Sequence, residues 1–458
     1  MTNVSNDPVP PLYFEVHTLT QTGDFQQALD LLDAGPVQQA RNHHRQRGYA
    51  LHNLYRYEEA HREMLEALGH CEGNARGAVF ADWAVMYMRE QRYEEGYTCY
   101  HQALALLDEP EARASTLYNL GWTYLRRCQA RHAVQYLEEA LLLIRRSRDS
   151  DTRWWLTFVR CGLSLHARLE GNWTLALDRA AQAVREAAPG RAAVFALHTL
   201  ASTQRLHGDL EAAALTQARA VSLAWEGQAS LTETLHRHLI ALQRGRPTVQ
   251  ESDLQALRDL IPLAAPYDAW RGRLHLAQQA LRAGIMPEAL VTLRAALGVH
   301  EPYVLLDEAP ALAELYAFGQ GRGLDLPMPM PISRPRLHLH TRGAAALELD
   351  GHRLPCEDVL PVGVLLYLHL EGPATLEVLA RALLDLAEDD LKRGVARIRS
   401  ALRDLAYWTG SDQVVQRSGK KCVLNPAWTV SSDASPAAGT GRVLAELYGS
   451  WTARFQDF

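Results

Sequence analysis

The chain has 458 residues, 47% of them hydrophobic and 22% charged, with a formal net charge of −6. That length supports two or three domains with sizeable cores, and the composition is that of an ordinary globular protein. No apolar run is long enough to span a membrane, and the stretch from Met1 to Pro11 lacks the basic and apolar parts of a signal peptide. These features predict a cytoplasmic protein with no membrane partner.

The first two-thirds repeats itself. G-D-F-Q-Q-A (23–28), Y-R-Y-E-E-A (55–60), Q-R-Y-E-E-G (91–96), C-Q-A-R-H-A (128–133), G-N-W-T-L-A (171–176), G-D-L-E-A-A (208–213) and G-I-M-P-E-A (284–289) share one pattern. Their last residues are spaced by 32, 36, 37, 43, 37 and 76, the last step holding two repeats with a divergent member near 231–261. A period of this size, with helical patterning on both sides, predicts stacked helix–turn–helix units.

The fourth unit, L-Y-N-L-G-W-T-Y (117–124) followed by Ala133, Leu137 and Ala140, resembles a tetratricopeptide repeat. Leu120, Gly121 and Tyr124 match that family's first helix, and Ala133 and Ala140 its small second-helix positions, where small residues let helices approach closely. The other units are looser, with Gly48 or Ala84 at the glycine position and Gly96 at the alanine position. The closing stretch E-P-Y-V-L-L-D-E-A-P-A-L-A-E-L-Y-A resembles the end of the sensor array in maltose-activator-type regulators. The phosphate-binding loop of those relatives, G-x-x-x-x-G-K-[ST], does not occur. Only the sensor part of that resemblance therefore applies.

Repeat arrays of this kind bind ligands along their first helices. The repeat register places Asp82 and Arg89 there in the third unit, Tyr118, Asn119, Trp122 and Arg126 in the fourth, and His198 and Arg205 in the sixth. Repeat-to-repeat packing or plain solvation is the competing reading for each. The implied ligand is a peptide, protein or small-molecule effector.

L-P-M-P-M-P-I-S-R-P (326–335) cannot be helical and predicts an extended linker. It separates a repeat domain over 10–325 from a domain over 336–432, with a C-terminal tail over 433–458. R-L-H-L-H-T (336–341) and A-A-L-E-L-D (345–350) alternate as strands, and Asp350-Gly351 turns into H-R-L-P-C. Three helices follow: about 359–370, one capped by Thr375, and Asp389–Leu405. V-V-Q-R-S-G-K-K-C-V-L-N (414–425) reads as a hairpin around Ser418-Gly419.

The third helix carries Leu391, Val395, Ile398, Leu402 and Leu405 at core spacing. Lys392, Arg393, Arg399 and Arg403 fall away from that face, with Arg397 on its flank and Ser400 beside them. A charge run of this kind is ordinarily a solvated face. Here the chain's three lysines are Lys392, Lys420 and Lys421, so the helix and the hairpin tip, which also carries Arg417, share the positive charge. Residues 333–458 hold 15 basic and 15 acidic residues, leaving 47 − 15 = 32 basic and 53 − 15 = 38 acidic upstream. The negative excess belongs to the repeats, and phosphate binding depends on the local patch.

Strands, three helices and a hairpin follow the order of response-regulator-type winged helices. L-E-L-D-G-H-R-L, R-I-R-S-A-L-R-D-L and V-V-Q-R-S-G-K-K-C-V-L-N-P resemble the entry hairpin, recognition helix and wing of SARP-type activators. The resemblance implies that the third helix enters the major groove of double-stranded DNA and the wing tip touches its backbone or minor groove. Lys392, Arg393, Arg397, Arg399, Ser400, Arg403, Arg417, Lys420 and Lys421 are the implied DNA-binding residues.

Nineteen histidines invite a metal search. His338 and His340 share a strand face, and His43 and His44 are adjacent, but neither pair has a third ligand at metal spacing. Six scattered cysteines without C-x-x-C suit reduced thiols. No nucleophile motif occurs, so no catalytic residue, metal or cofactor is assigned. The expected architecture is mostly α: a tetratricopeptide-like α-solenoid followed by a small α+β winged-helix domain. The expected function is sequence-specific transcription regulation by a homodimer formed through residues 1–332. The alternative is a protein-interaction scaffold with a repurposed winged helix.

Overall fold

A computed structural model describes residues 11–434, apart from positions 23, 36, 38, 148–149, 224–227, 245–250, 265, 299–301, 328–333, 342–343, 357, 385 and 387–389. The centre of the Pro-rich linker, Asp389 and nearly all of the 433–458 tail therefore lie outside the described residues. Two compact units divide the chain, one up to Leu156 and the other, apart from 225–228, from Thr157 onward.

The first unit is built from helix pairs: α1 (Pro11–Thr22) with α2 (Phe25–Ala34), α3 (Ala40–Asn53) with α4 (Tyr57–Gly69), α5 (Gly73–Arg89) with α6 (Tyr93–Leu106), and α7 (Pro110–Arg126) with α8 (Ala130–Arg146). Helix α9 (Ser150–Leu169) crosses into the second unit. There it is followed by α10 (Trp173–Glu186), α11 (Arg191–His207), α12 (Leu210–Leu223), α13 (Gln228–Arg244), α14 (Glu251–Leu260), α15 (Pro266–Arg282), α16 (Met286–Leu297), α17 (Tyr303–Glu308) and α18 (Ala313–Gln320).

The repeated hexapeptide has one structural meaning. Its last residue (Ala28, Ala60, Gly96, Ala133, Ala176, Ala213 or Ala289) is always the fourth residue of a second helix, and it is always buried. Its first residue closes the turn with a left-handed backbone: Tyr55 (φ 62°), Gln91 (63°), Cys128 (55°), Gly171 (73°), Gly208 (97°) and Gly284 (81°). Glycine takes this conformation without strain, whereas Tyr55, Gln91 and Cys128 hold it at a cost. That small, buried fourth residue is what lets the paired helices close up. A Cβ on Gly121 of α7 would stand 2.8 Å from Leu137 Cγ and 3.2 Å from the Ala133 carbonyl oxygen of α8. Gly121→Val should therefore cost at least about 2 kcal/mol through overpacking. A urea midpoint for the first unit unchanged from wild type would contradict that packing.

The C-terminal region of the second unit has β1 (Arg336–His340), β2 (Ala346–Leu349), β3 (His352–Arg353), α19 (Val359–Leu370), β4 (Ala374–Thr375), α20 (Leu376–Leu383), α21 (Leu391–Thr409), β5 (Val415–Ser418), β6 (Lys421–Leu424) and β7 (Thr429–Ser432). Two sheets form, in the orders β3-β2-β1-β7 and β4-β6-β5. Asp350 and Gly351 both have positive φ, 51° and 86°, which closes the β2–β3 hairpin with a two-residue turn. Thr375 caps α20 by accepting a hydrogen bond from the Val378 amide at 3.3 Å.

Three details differ from the sequence expectation. Helix α21 runs four residues past Leu405, because Trp408 is buried and extends the core face by another turn. The hairpin turns at Gly419-Lys420, since Ser418 pairs with Lys421. Strand β7, which no local pattern marks, pairs in parallel with β1.

Candidate nucleic-acid interface

Helix α21 packs into the region by one face. Val395, Ile398, Ala401, Leu405 and Trp408 are buried, and a Cβ on Gly394 would meet Ala380 Cβ of α20 at 3.2 Å. That face leaves Lys392, Arg393, Arg397, Arg399 and Arg403 exposed and Ser400 half-buried. In the hairpin, Arg417, Lys420 and Lys421 are exposed, while Cys422 points into the core. Among the described residues, none of these eight basic side chains is held in an ion pair.

Helix and hairpin are joined through α20. Pairing of Thr375 with Lys421 ties the start of α20 to the hairpin. Glu377, in the first turn of α20, feels both sides of the junction. Its carboxyl is held below the usual range by its own backbone amide and the Thr375 hydroxyl, and further by the charges of Arg399 and Lys420. Glu377, next to the Thr375 cap, is thus the acidic member of this basic surface.

The predicted groove residues fall into two groups, one in each unit. In the first, Asp82 pairs with Arg45, and Arg89 donates to Asn53 Oδ1 at 3.1 Å. The Tyr118 ring lies 6.1 Å from that of Trp122 and 5.6 Å from that of Trp155, while Asn119 and Arg126 are half-buried on the same helix. The register missed a neighbouring cluster. His52 and His61 approach Glu90 at 3.3 and 3.0 Å, and Trp83 Nε1 donates to His61 Nδ1 at 2.7 Å.

In the second unit, His198 and Arg205 belong to a buried ionic network. Arg205 donates to Glu308 at 2.6 and 2.9 Å. Arg168 of α9 donates to both oxygens of Asp307, at 2.7 and 2.9 Å. Arg271 of α15 reaches Asp268, Asp307 and Glu308, and His275 lies 3.0 Å from Glu308. His198 sits 3.0 Å from Glu233, and His236 lies 3.3 Å from Asp268.

Burial lowers the His198 pKa, but the Glu233 carboxylate outweighs it and the net shift is upward. Burial and the charge of His198 push His236 down to about 4. Arg168, Arg205 and Arg271 thus face Asp268, Asp307 and Glu308, with His275 beside Glu308 and His198 beside Glu233. In the described conformation Asp307 and Glu308, from the short α17, fill the face that α9, α11 and α15 offer. Among the described residues no group of three or more His, Cys, Asp or Glu could hold a metal ion, and no helix is long and apolar enough to cross a membrane. His338 instead meets Ser431 at 2.9 Å and His340 meets Glu348 at 2.9 Å.

A tetratricopeptide-repeat family model matches residues 76–144. Among solved structures, a tetratricopeptide repeat protein from Parabacteroides merdae is 15% identical, covering 58% of this chain and 96% of its own, with a TM-score of 0.41. A Rap protein complexed with competence and sporulation factor is 12% identical over 68% of this chain and 96% of its own, TM-score 0.43. A human IFIT1 dimer with m7Gppp-AAAA is 13% identical over 87% and 90%, TM-score 0.40. No curated protein matches the chain. The helix pairs α5–α6 and α7–α8, which hold almost all of the matched residues, are tetratricopeptide repeats.

Proposed function

We propose that the chain is a transcription regulator that binds double-stranded DNA through its C-terminal region, acting as a winged helix, with α21 as the recognition helix and the β5–β6 hairpin as the wing. The repeats sense a peptide, protein or small-molecule effector. One observation carries this reading: eight exposed basic side chains on α21 and the hairpin, without ion pairs among the described residues and joined at Glu377. Arginine dominates the helix, and its planar fork suits guanine edges and phosphates alike. The tip lysines suit phosphates.

The matched repeats favour a second reading, a protein-interaction scaffold in which the C-terminal region docks protein. Duplex binding by the full chain separates the two. Arg399→Ala with Arg403→Ala should weaken binding about 10- to 100-fold and flatten the slope of log affinity against log salt by about two. Both side chains are exposed, so folding should be unchanged. Wild-type protein that retains no duplex even at low salt favours the scaffold.

A further inference from the structure

The C-terminal end of α21 does not face solvent. Within the second unit it is held against α9 and α10 by side chains of both helices. Arg160 of α9, fully buried, donates to Glu186 at 2.6 Å and to the Tyr407 carbonyl at 3.3 Å, with its guanidinium 5.0 Å from the Tyr407 ring centre. Arg179 of α10 donates to the Thr409 carbonyl at 3.1 Å. Two guanidiniums thus cap the negative end of the α21 dipole. The fit is close: a Cβ on Gly410, whose φ is 69°, would stand 2.5 Å from Arg179 Cγ. Beyond it, Ser411 donates to Asp178, and Arg185 donates to Asp412 at 3.1 Å.

We propose that α9–α10 and residues 407–412 form an autoinhibitory latch, and that a duplex seated on α21 must open it. The proposal rests on the DNA-binding reading. At 1.5 Å per residue, the basic residues from Lys392 to Arg403 span about 16 Å, and Tyr407 lies only about 6 Å further along. A major groove is about 12 Å wide, so one centred near Arg397 ends about 6 Å along the helix, near residue 401, and its flanking phosphate strand lies over the turn that follows. The repeats stand immediately beyond that turn, against residues 407–412. Arg403 itself lines a hollow with Ser411 and Asp412, two latch residues that bond α10. The latch is polar and partly made of backbone acceptors, so water can replace its contacts when it opens. A hydrophobic interface of the same extent would not open so readily.

A latch closed nine-tenths of the time lowers apparent affinity about tenfold, because only the open fraction binds. The test uses the full chain and a random-sequence duplex of about two helical turns. Two openings are compared: Arg160→Met with Arg179→Met, and separately Ser411→Asp, which sets a carboxylate against Asp178 and leaves both arginines in place. Each should speed amide exchange at 409–413 about tenfold or more, leave 395–402 protected, and tighten duplex binding about tenfold. Faster exchange with unchanged or weaker binding would overturn the latch, making the contact a fixed scaffold. Absence of binding by wild type and both opened variants, at low salt, would instead overturn the DNA reading and the latch with it.

Discussion

Glu308→Gln should lower the stability of the second unit by about 3–5 kcal/mol, the range for removing one partner from a buried ion pair. The carboxylate is fully buried and accepts from Arg205, while Arg271 and His275 stand within about ion-pair distance at 3.1 and 3.0 Å. Arg205 and His275 hold its pKa well below the usual carboxylate range against the effect of burial. Neutralising it leaves buried guanidiniums without their countercharge. Glu211→Gln is the matched control, since Arg244 reaches Glu211 at 2.8 Å but both side chains are largely exposed. That change should cost less than about 1 kcal/mol. Urea-dependent amide exchange in α11 and α15 reads both. Equal shifts for the two variants would show that the buried network does not stabilise the unit.

The network also shows where sequence reading stops. Repeat register placed His198 and Arg205 on first helices, which is where they lie. It could not name their partners, because Glu308 is 103 residues from Arg205 and Asp307 is 139 from Arg168. Those distances are set by how successive pairs stack, and no local spacing encodes them. The hexapeptide was legible because a turn, a cap and a small packing position fall within six residues. The exposed face of α21 was legible for a similar reason: helical period alone separates Ile398 from Arg399 and Arg403. The docking of its last turn was not, since Arg160 and Arg179 donate to backbone carbonyls, which carry no sequence signature. Strand β7 escaped notice because its partner, β1, lies some ninety residues earlier.

Acid should destabilise the second unit between about pH 6.5 and 4, with His236 as a principal cause. Its Nε2 lies 3.3 Å from Asp268, its ring centre is 4.2 Å from that of His198, and the side chain is buried. Burial and the positive charge of His198 push its pKa down to about 4, against an unfolded value near 6.5. Between those values the unfolded chain binds the proton and the folded chain does not, so stability rises with pH. The contribution is present above pH 6.5 and is lost as pH falls toward 4. A shift of this size is worth about 3 kcal/mol. His166, pushed by burial and Arg179 to about 3, acts in the same direction. Asp178 opposes both. Burial raises it to about 6, so it contributes at low pH and loses that contribution as pH rises through 6. His198, raised by Glu233, likewise contributes below 6.5 and loses that contribution only as pH rises through its folded value, on the alkaline side. Two histidines against one carboxyl leave a net loss in acid. His236→Gln isolates the effect, because it removes one titration and keeps a polar side chain beside Asp268. The difference in unfolding free energy between wild type and variant should shrink by about 3 kcal/mol from pH 7 to pH 4. Parallel stability curves for the two proteins would show that His236 binds its proton equally well folded and unfolded.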